Sequence, residues 1–194
     1  MPHADSSLVP EEIKTKAEFW THVYSQLAPL LEGQKNWVSN LSNTSSLIYN
    51  ALLAFPSHFG PDEKAVNWCG FYLDSRFFPR SSDHNPSVNR LLLGPFCGKP
   101  ACQFINTEPG KARGVVADGF LQGKTLIVPD VDSYPGHIAC DGETKSEIVC
   151  PLFLGSRPIG ILDLDCLVLG GFDQDDKEGL EKISALVVSS CEWE

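Results

Sequence analysis

The sequence predicts an α+β fold, with a central antiparallel sheet and N- and C-terminal helices packed on one face. Three observations predict it. Stretches of helical periodicity open and close the chain. Between them lie short runs rich in β-branched and aromatic residues, separated by glycine and proline. The chain also has no internal repeat, no GxGxxG turn and no phosphate-binding lysine loop. Strands grouped between terminal helices give a sheet covered by helices on one side.

Residues 1–10 are expected to be a loose arm and 11–194 a single domain. Pro10, Glu11 and Glu12 suit a helix start, because proline is tolerated in the first turn and acids favour the positive end. Phe19, Val23, Leu27 and Leu30 continue that helix over about 11–32, with Pro29 a kink or early stop. Val38, Leu41, Ser45, Ile48, Leu52 and Leu53 mark a second helix from near Asn36 to before Pro56. Trp20 and Trp37 fit as packing residues.

Val66 to Leu73 is an aromatic-rich strand. Its period of two puts Trp68, Gly70 and Tyr72 on one face and Cys69, Phe71 and Leu73 on the other. Glycine between two aromatics would leave room above the sheet for a ligand walled by Trp68 and Tyr72. Asp74 to Ser87 is polar, as in a hairpin loop or flap. Val88 to Leu93 is a second strand ended by Gly94-Pro95, and Phe104-Ile105 belongs to a third. Val115 to Leu121 suits a short helix with a central glycine, and Thr125 to Val128 a brief strand. Ile148 to Leu154 and Pro158 to Leu164 form a hairpin around Gly155-Ser156. On its second strand Ile159, Ile161, Asp163 and Asp165 share a face. A last helix over about 174–191 starts after Asp173, a plausible N-cap among four acids.

Composition excludes several functions. A net charge of −10 with scattered lysine and arginine argues against nucleic acid and against an anionic membrane surface. No apolar run is long enough to span a bilayer. No basic segment followed by an apolar one opens the chain, so no secretory signal is expected. Seven cysteines without framework spacing suggest free thiols in a reducing compartment, the cytoplasm or also the nucleus. No CxxC pair occurs, and no convincing zinc pattern joins Cys97 and Cys102 to His137. No metal is expected.

The chemistry points to Pro129–Cys150. Turn formers surround Cys140 there, and a buried strand follows at once. A reactive cysteine needs thiolate character and access. Its position permits access, and His137 and Lys145 are nearby cations that could offset Asp141 and Glu143. A sulfenic acid formed on it would need a second thiol, for which Cys102 and Cys97 are the candidates with polar surroundings. Two aspartates on one strand face, Asp163 and Asp165, would be costly without a cationic group, and Glu147, just before the partner strand, offers a third acid. Together with Trp68 and Tyr72 they outline a small amine-bearing ligand.

Pro135-Gly136-His137-Ile138-Ala139-Cys140-Asp141, continued by Ser146-Glu147-Ile148-Val149, resembles the signature of the free methionine-(R)-sulfoxide reductases, which are single GAF-domain enzymes. Asn67-Trp68 with Gly70-Phe71-Tyr72 agrees, as do Leu93-Gly94-Pro95-Phe96, Gly98-Lys99, Ala101-Cys102 and Asp163-Leu164-Asp165, all in the right order. The resemblance implies that Cys140 attacks the sulfoxide sulfur and that Cys102 resolves the sulfenic acid as a disulfide. It implies that Glu147, Asp163 and Asp165 hold the ammonium group and assist protonation, and that Trp68 and Tyr72 wall the substrate methyl. It further implies no bound cofactor, reduction by thioredoxin with NADPH consumed indirectly, and a homodimer. The alternative is a GAF module that binds a small ligand without turnover. Many members carry a third cysteine where this chain has Val116.

Overall fold

The computed structural model describes residues 5, 8–79, 89–138 and 140–193. Four helices, α1 (Lys16–Leu31), α2 (Trp37–Leu53), α3 (Val115–Gln122) and α4 (Gln174–Ser190), surround one sheet. Its strands are β1 (Val66–Asp74), β2 (Arg90–Gly98), β3 (Phe104–Asn106), β4 (Leu126–Val128), β5 (Ser146–Leu154) and β6 (Arg157–Cys166). They lie in the order β3-β2-β1-β6-β5-β4, and all the paired strands are antiparallel. The α+β architecture expected from the sequence is therefore present. No helix among the described residues is long and apolar enough to cross a membrane.

α1, α2 and α4 cover one face. Phe19, Trp20, Leu27, Leu41, Ile48, Leu52, Leu180 and Ile183 meet Cys69, Phe71, Leu73, Ile148, Leu162 and Leu164 in the larger core. Phe19 and Phe55 stack within it at 4.6 Å between centroids. Burial of this many large side chains, at about 1.5–3 kcal/mol each, is the main force holding the helices to the sheet. α4 approaches α1 closely because residue 179 is glycine: a Cβ there would lie 2.2 Å from Trp20 Cγ. α3 covers the opposite face, where Trp68, Tyr72, Val115, Val116, Ala117, Val149 and Ile161 form a second, smaller core.

Several boundaries differ from the sequence expectation. α1 starts at Lys16, not near Glu11, because Thr15 and Glu18 form a capping box that satisfies the first amides. Pro29 lies inside α1 without ending it at that point. β2 does not stop at Gly94-Pro95 but runs to Gly98. The proline is accommodated at an irregularity in the β1–β2 register between Gly70 and Tyr72. Ile159 does not share a face with Asp163. A register shift at Leu152/Phe153 turns Ile159 into the helix-side core instead. Of the expected arm, residues 1–4, 6 and 7 lie outside the described residues, while Val9 packs against the core. Most of the expected flap over 74–87 lies outside them too, beyond a 3-10 turn at Ser75–Phe77.

Candidate functional site

Strand register assembles the acids. Directly opposed residues in an antiparallel pair share a face, with Cβ atoms about 4.5–5.5 Å apart. Glu147 on β5 opposes Asp165 on β6, and Asp165 opposes Trp68 on β1. Asp163, two residues before Asp165, opposes Gly70 and Val149. All three carboxylates therefore reach the α3 side of the sheet, with ligand oxygens within 4.8 Å of one another. Glu147 and Asp163 are buried.

This crowding decides their protonation. Burial, followed by the charges of Asp163 and Asp165, pushes Glu147 well above the usual carboxylate range. Burial and the charge of Asp165 do the same to Asp163. Asp165 is pushed up to about 7, first by burial and then by Asp141. The cluster thus retains protons at pH values where an ordinary carboxylate has none, and it can donate them. Three oxygen donors would also suit a hard cation. A histidine accompanies them: His137 Nε2 lies 3.6 Å from Glu147 Oε2. Burial holds His137 below its ordinary value against the opposing charge of Asp132, so it is a neutral neighbour at pH 7.

A cavity of about 50 Å³ sits over this cluster. Trp68, Tyr72, Cys140, Glu147, Asp163 and Asp165 all contribute to its lining. Five buried side-chain polar atoms lack a hydrogen-bond partner among the described residues, and three of them, Asn67 Oδ1, Trp68 Nε1 and Asp163 Oδ1, belong to lining residues. Unpaired buried polar atoms are costly and concentrate where a polar ligand is received. The room expected above Gly70 is not part of this space. A Cβ on Gly70 would meet Trp68 Cη2 at 2.7 Å and Phe96 Cβ at 2.3 Å. Trp68 instead stacks between Tyr72 and Phe96, with centroids at 5.8 and 5.5 Å.

Cys102 and Cys140 are joined by a disulfide, with Cα atoms 5.8 Å apart. Tyr72 Oη donates to the Cys102 carbonyl at 3.0 Å. Lys99 pairs with Asp141 at 3.2 Å and with Glu143, tying the Cys102 segment to the Cys140 loop. Asn67 Nδ2 donates to Asp141 at 3.0 Å and to Thr144 at 3.0 Å. Burial alone would raise Asp141, but the Glu143 amide, Asn67 and Lys99 together hold it below the usual range. Sequence reasoning missed Asn67, Lys99 and the placement of His137. Lys99 shows no local pattern, because its partners lie more than forty residues away.

All seven expected site residues converge here: six line the cavity and Cys102 is bonded to Cys140. Cys97 does not. It opposes Cys69, whose side chain faces the helix-side core. Val116, which replaces the third cysteine of many members, lines the cavity at the start of α3. The preceding Gly114 offers no side-chain cap to that helix, so its first amides have no side-chain acceptor.

The fold and this arrangement define a GAF domain with a cysteine pair at the mouth of an acidic cavity. A solved GAF domain is 41% identical, with a TM-score of 0.79 over 97% of this chain and 95% of that one. The free methionine-R-sulfoxide reductase of Neisseria meningitidis, solved in complex with its substrate, is 31% identical with a TM-score of 0.76, covering 95% of each chain. The free methionine-R-sulfoxide reductase of Saccharomyces cerevisiae is 46% identical over 163 residues, 84% of this chain and 79% of that protein. No family model matches the chain. On these relatives, the chain belongs to the free methionine-R-sulfoxide reductase family.

Proposed function

We propose that this protein reduces free L-methionine (R)-S-oxide to L-methionine. The observation that carries the reading is the Cys102–Cys140 disulfide placed against a buried, proton-retaining cluster of Glu147, Asp163 and Asp165. The Cys140 thiolate attacks the sulfoxide sulfur. A carboxyl of the cluster protonates the sulfoxide oxygen, which passes to Cys140 as a sulfenic acid while methionine leaves. The Cys102 thiol then attacks the Cys140 sulfur, expels water and closes the disulfide. An external dithiol, thioredoxin, reduces it again, with NADPH consumed upstream. No bound cofactor takes part.

Placement supports the other roles. An ionised member of the acid cluster pairs with the substrate ammonium, and Trp68 and Tyr72 wall its methyl. The uncapped first amides of α3 suit its carboxylate. Val116 cannot exchange disulfides, so Cys102 and Cys140 carry the cycle alone. With a volume of about 50 Å³, against about 300 Å³ for a small ligand pocket, the cavity favours substrate entry only after the disulfide is reduced. We assign residues 11–194 to one GAF domain that acts as a homodimer. The free thiols outside the pair suit a reducing compartment, the cytoplasm or also the nucleus.

The test is turnover on racemic free methionine sulfoxide with thioredoxin, thioredoxin reductase and NADPH, read by chiral chromatography. Consumption of the R form alone, many times per site, is expected. Absence of methionine from folded, reduced protein would replace this reading with a small-ligand binding module.

A further inference from the structure

Two thiols that the cycle above does not use face each other across β1 and β2. Cys69 and Cys97 are direct partners in the antiparallel register, and Gly70↔Phe96 and Trp68↔Gly98 continue it on either side. Direct partners in such a pair lie about 4.5–5.5 Å apart at Cα, within the roughly 4.4–6.8 Å that a disulfide spans. Their side chains share one face, the helix side, opposite to that of the acids. Both are free thiols. Cys69 is fully buried and Cys97 half-buried, so one member is closed and the other can be reached. Tyr49 of α2 lies near both, and its hydroxyl is pushed up by burial and then by these two groups.

We propose that Cys69 and Cys97 are a second redox couple, converted by peroxide into a cross-strand disulfide. Cys97 is the entry point. Its thiol sheds a proton and the thiolate attacks a peroxide oxygen; the O–O bond breaks, and the hydroxide released takes up that proton, leaving a sulfenic acid and water. Cys69 then attacks the Cys97 sulfur. The S–S bond forms, the S–O bond breaks, and the departing hydroxide takes the Cys69 proton as a second water. Two electrons pass from the thiols to the peroxide. Burial raises both thiols, and for Cys69 the charge of Cys97 adds to it. Little thiolate is therefore present at neutral pH, so the couple responds to sustained oxidant and not to traces. β1 carries Trp68 and Tyr72, and β2 runs into Lys99 and Cys102, so the bond would tie together the two strands beneath the cavity.

The test uses full-length protein carrying Cys102→Ser and Cys140→Ser, which removes the other pair. It is treated with hydrogen peroxide, alkylated, digested without reduction and analysed by mass spectrometry. A peptide pair linked through Cys69 and Cys97, with the free-thiol titre lowered by two, is expected. The wild-type protein treated in the same way should show the same linked pair. In Cys69→Ala, Cys97 should instead accumulate as the sulfinic acid, because nothing captures its sulfenic acid. Cys97 over-oxidised to the same extent with Cys69 present, or both thiols intact after prolonged peroxide, would overturn the proposal.

Discussion

Tyr72 on β1 donates its hydroxyl to the carbonyl of Cys102 at 3.0 Å, so the wall of the cavity also holds the segment bearing one cysteine of the disulfide. Burial, and then the charges of Asp163, Asp165 and Glu147, push the phenol far above its usual range. It therefore remains a donor at every pH the enzyme meets. Tyr72→Phe removes a hydrogen bond worth about 1 kcal/mol without changing the ring. The expected result is closure of the Cys102–Cys140 disulfide about five-fold slower. It would be read as thiol loss after a pulse of methionine sulfoxide, with the first equivalent of methionine released at the normal rate. An unchanged closure rate would show that the bond does not position Cys102.

The cysteines themselves separate the two chemical steps. Cys140→Ser should abolish methionine formation, because no thiol remains over the acid cluster. Cys102→Ser should release about one equivalent per site and then stop unless a small thiol is added. Full multiple turnover of Cys102→Ser with thioredoxin would remove Cys102 from the resolving role, and Cys97, on the other face, would not replace it.

Asp165 predicts a pH dependence. Its folded value is pushed up to about 7, whereas an unfolded aspartate titrates at about 3.9. Between these values the folded protein holds a proton that the unfolded chain has lost. The stability that Asp165 contributes is therefore fully present below the unfolded value, declines as pH rises through the window and is lost above about 7. Glu147 and Asp163, also raised, add to this slope. Urea unfolding at pH 5 and pH 8 should show wild type losing stability between the two, and Asp165→Asn losing less. If the cluster supplies the proton to the sulfoxide, methionine formation by wild type should also fall above about pH 7. Equal slopes for wild type and Asp165→Asn would mean that Asp165 titrates normally.

Much of this site was legible because it is written in strand periodicity. Asp163 and Asp165 fall on one face by counting in twos, and so do Trp68 and Tyr72. What counting cannot show is register across strands or a bulge within one. Counting in twos puts Ile159 on the wrong face because one register shift at Leu152/Phe153 inverts the alternation before it. Gly94-Pro95 reads as the end of β2 because a proline inside a paired strand is rare, and only the irregular register between Gly70 and Tyr72 on β1 admits it. The start of α1 differs in kind. Thr15 and Glu18 form a capping box readable from sequence, and Pro10-Glu11-Glu12 offered a weaker signal ahead of it. Lys99 and His137 reach partners set by loop geometry, which no local pattern encodes.

Gly70 links the strand to the cavity wall. A methyl group there would overlap Phe96 Cβ at 2.3 Å and Trp68 Cη2 at 2.7 Å. The indole could shift, but Phe96 Cα at 2.9 Å is backbone of the neighbouring strand and yields less readily. Gly70→Ala should cost about 1–3 kcal/mol by overpacking and should raise KM more than it lowers kcat, because Trp68 is displaced while the cysteines are not. A normal KM with normal stability would mean that the β1–β2 pair opens without disturbing Trp68.

A charge pair is buried away from the site as well. Lys16 Nζ at the start of α1 lies 2.5 Å from Asp176 Oδ2 and 3.0 Å from Asp173 Oδ2 at the start of α4. It also donates to the Gly171 carbonyl at 2.8 Å and sits 4.8 Å above the Phe59 ring. Asp176 accepts from Trp20 Nε1 at 2.8 Å and is completely buried. Burial raises Asp176 above its ordinary value even though Lys16 and Trp20 pull it down. Lys16→Met would leave that carboxylate buried with only neutral donors. Removing one partner of a buried pair costs about 3–5 kcal/mol, much of a small domain's stability. The variant should unfold at markedly lower urea at pH 7 and recover part of the loss at pH 4–5, where Asp176 can take up a proton. Lys16→Met with Asp176→Asn should be more stable than Lys16→Met alone, because the second change removes the stranded charge. If the double variant is no better, the cost lies in the packing of the lysine chain against Phe59 and not in the charge it neutralises.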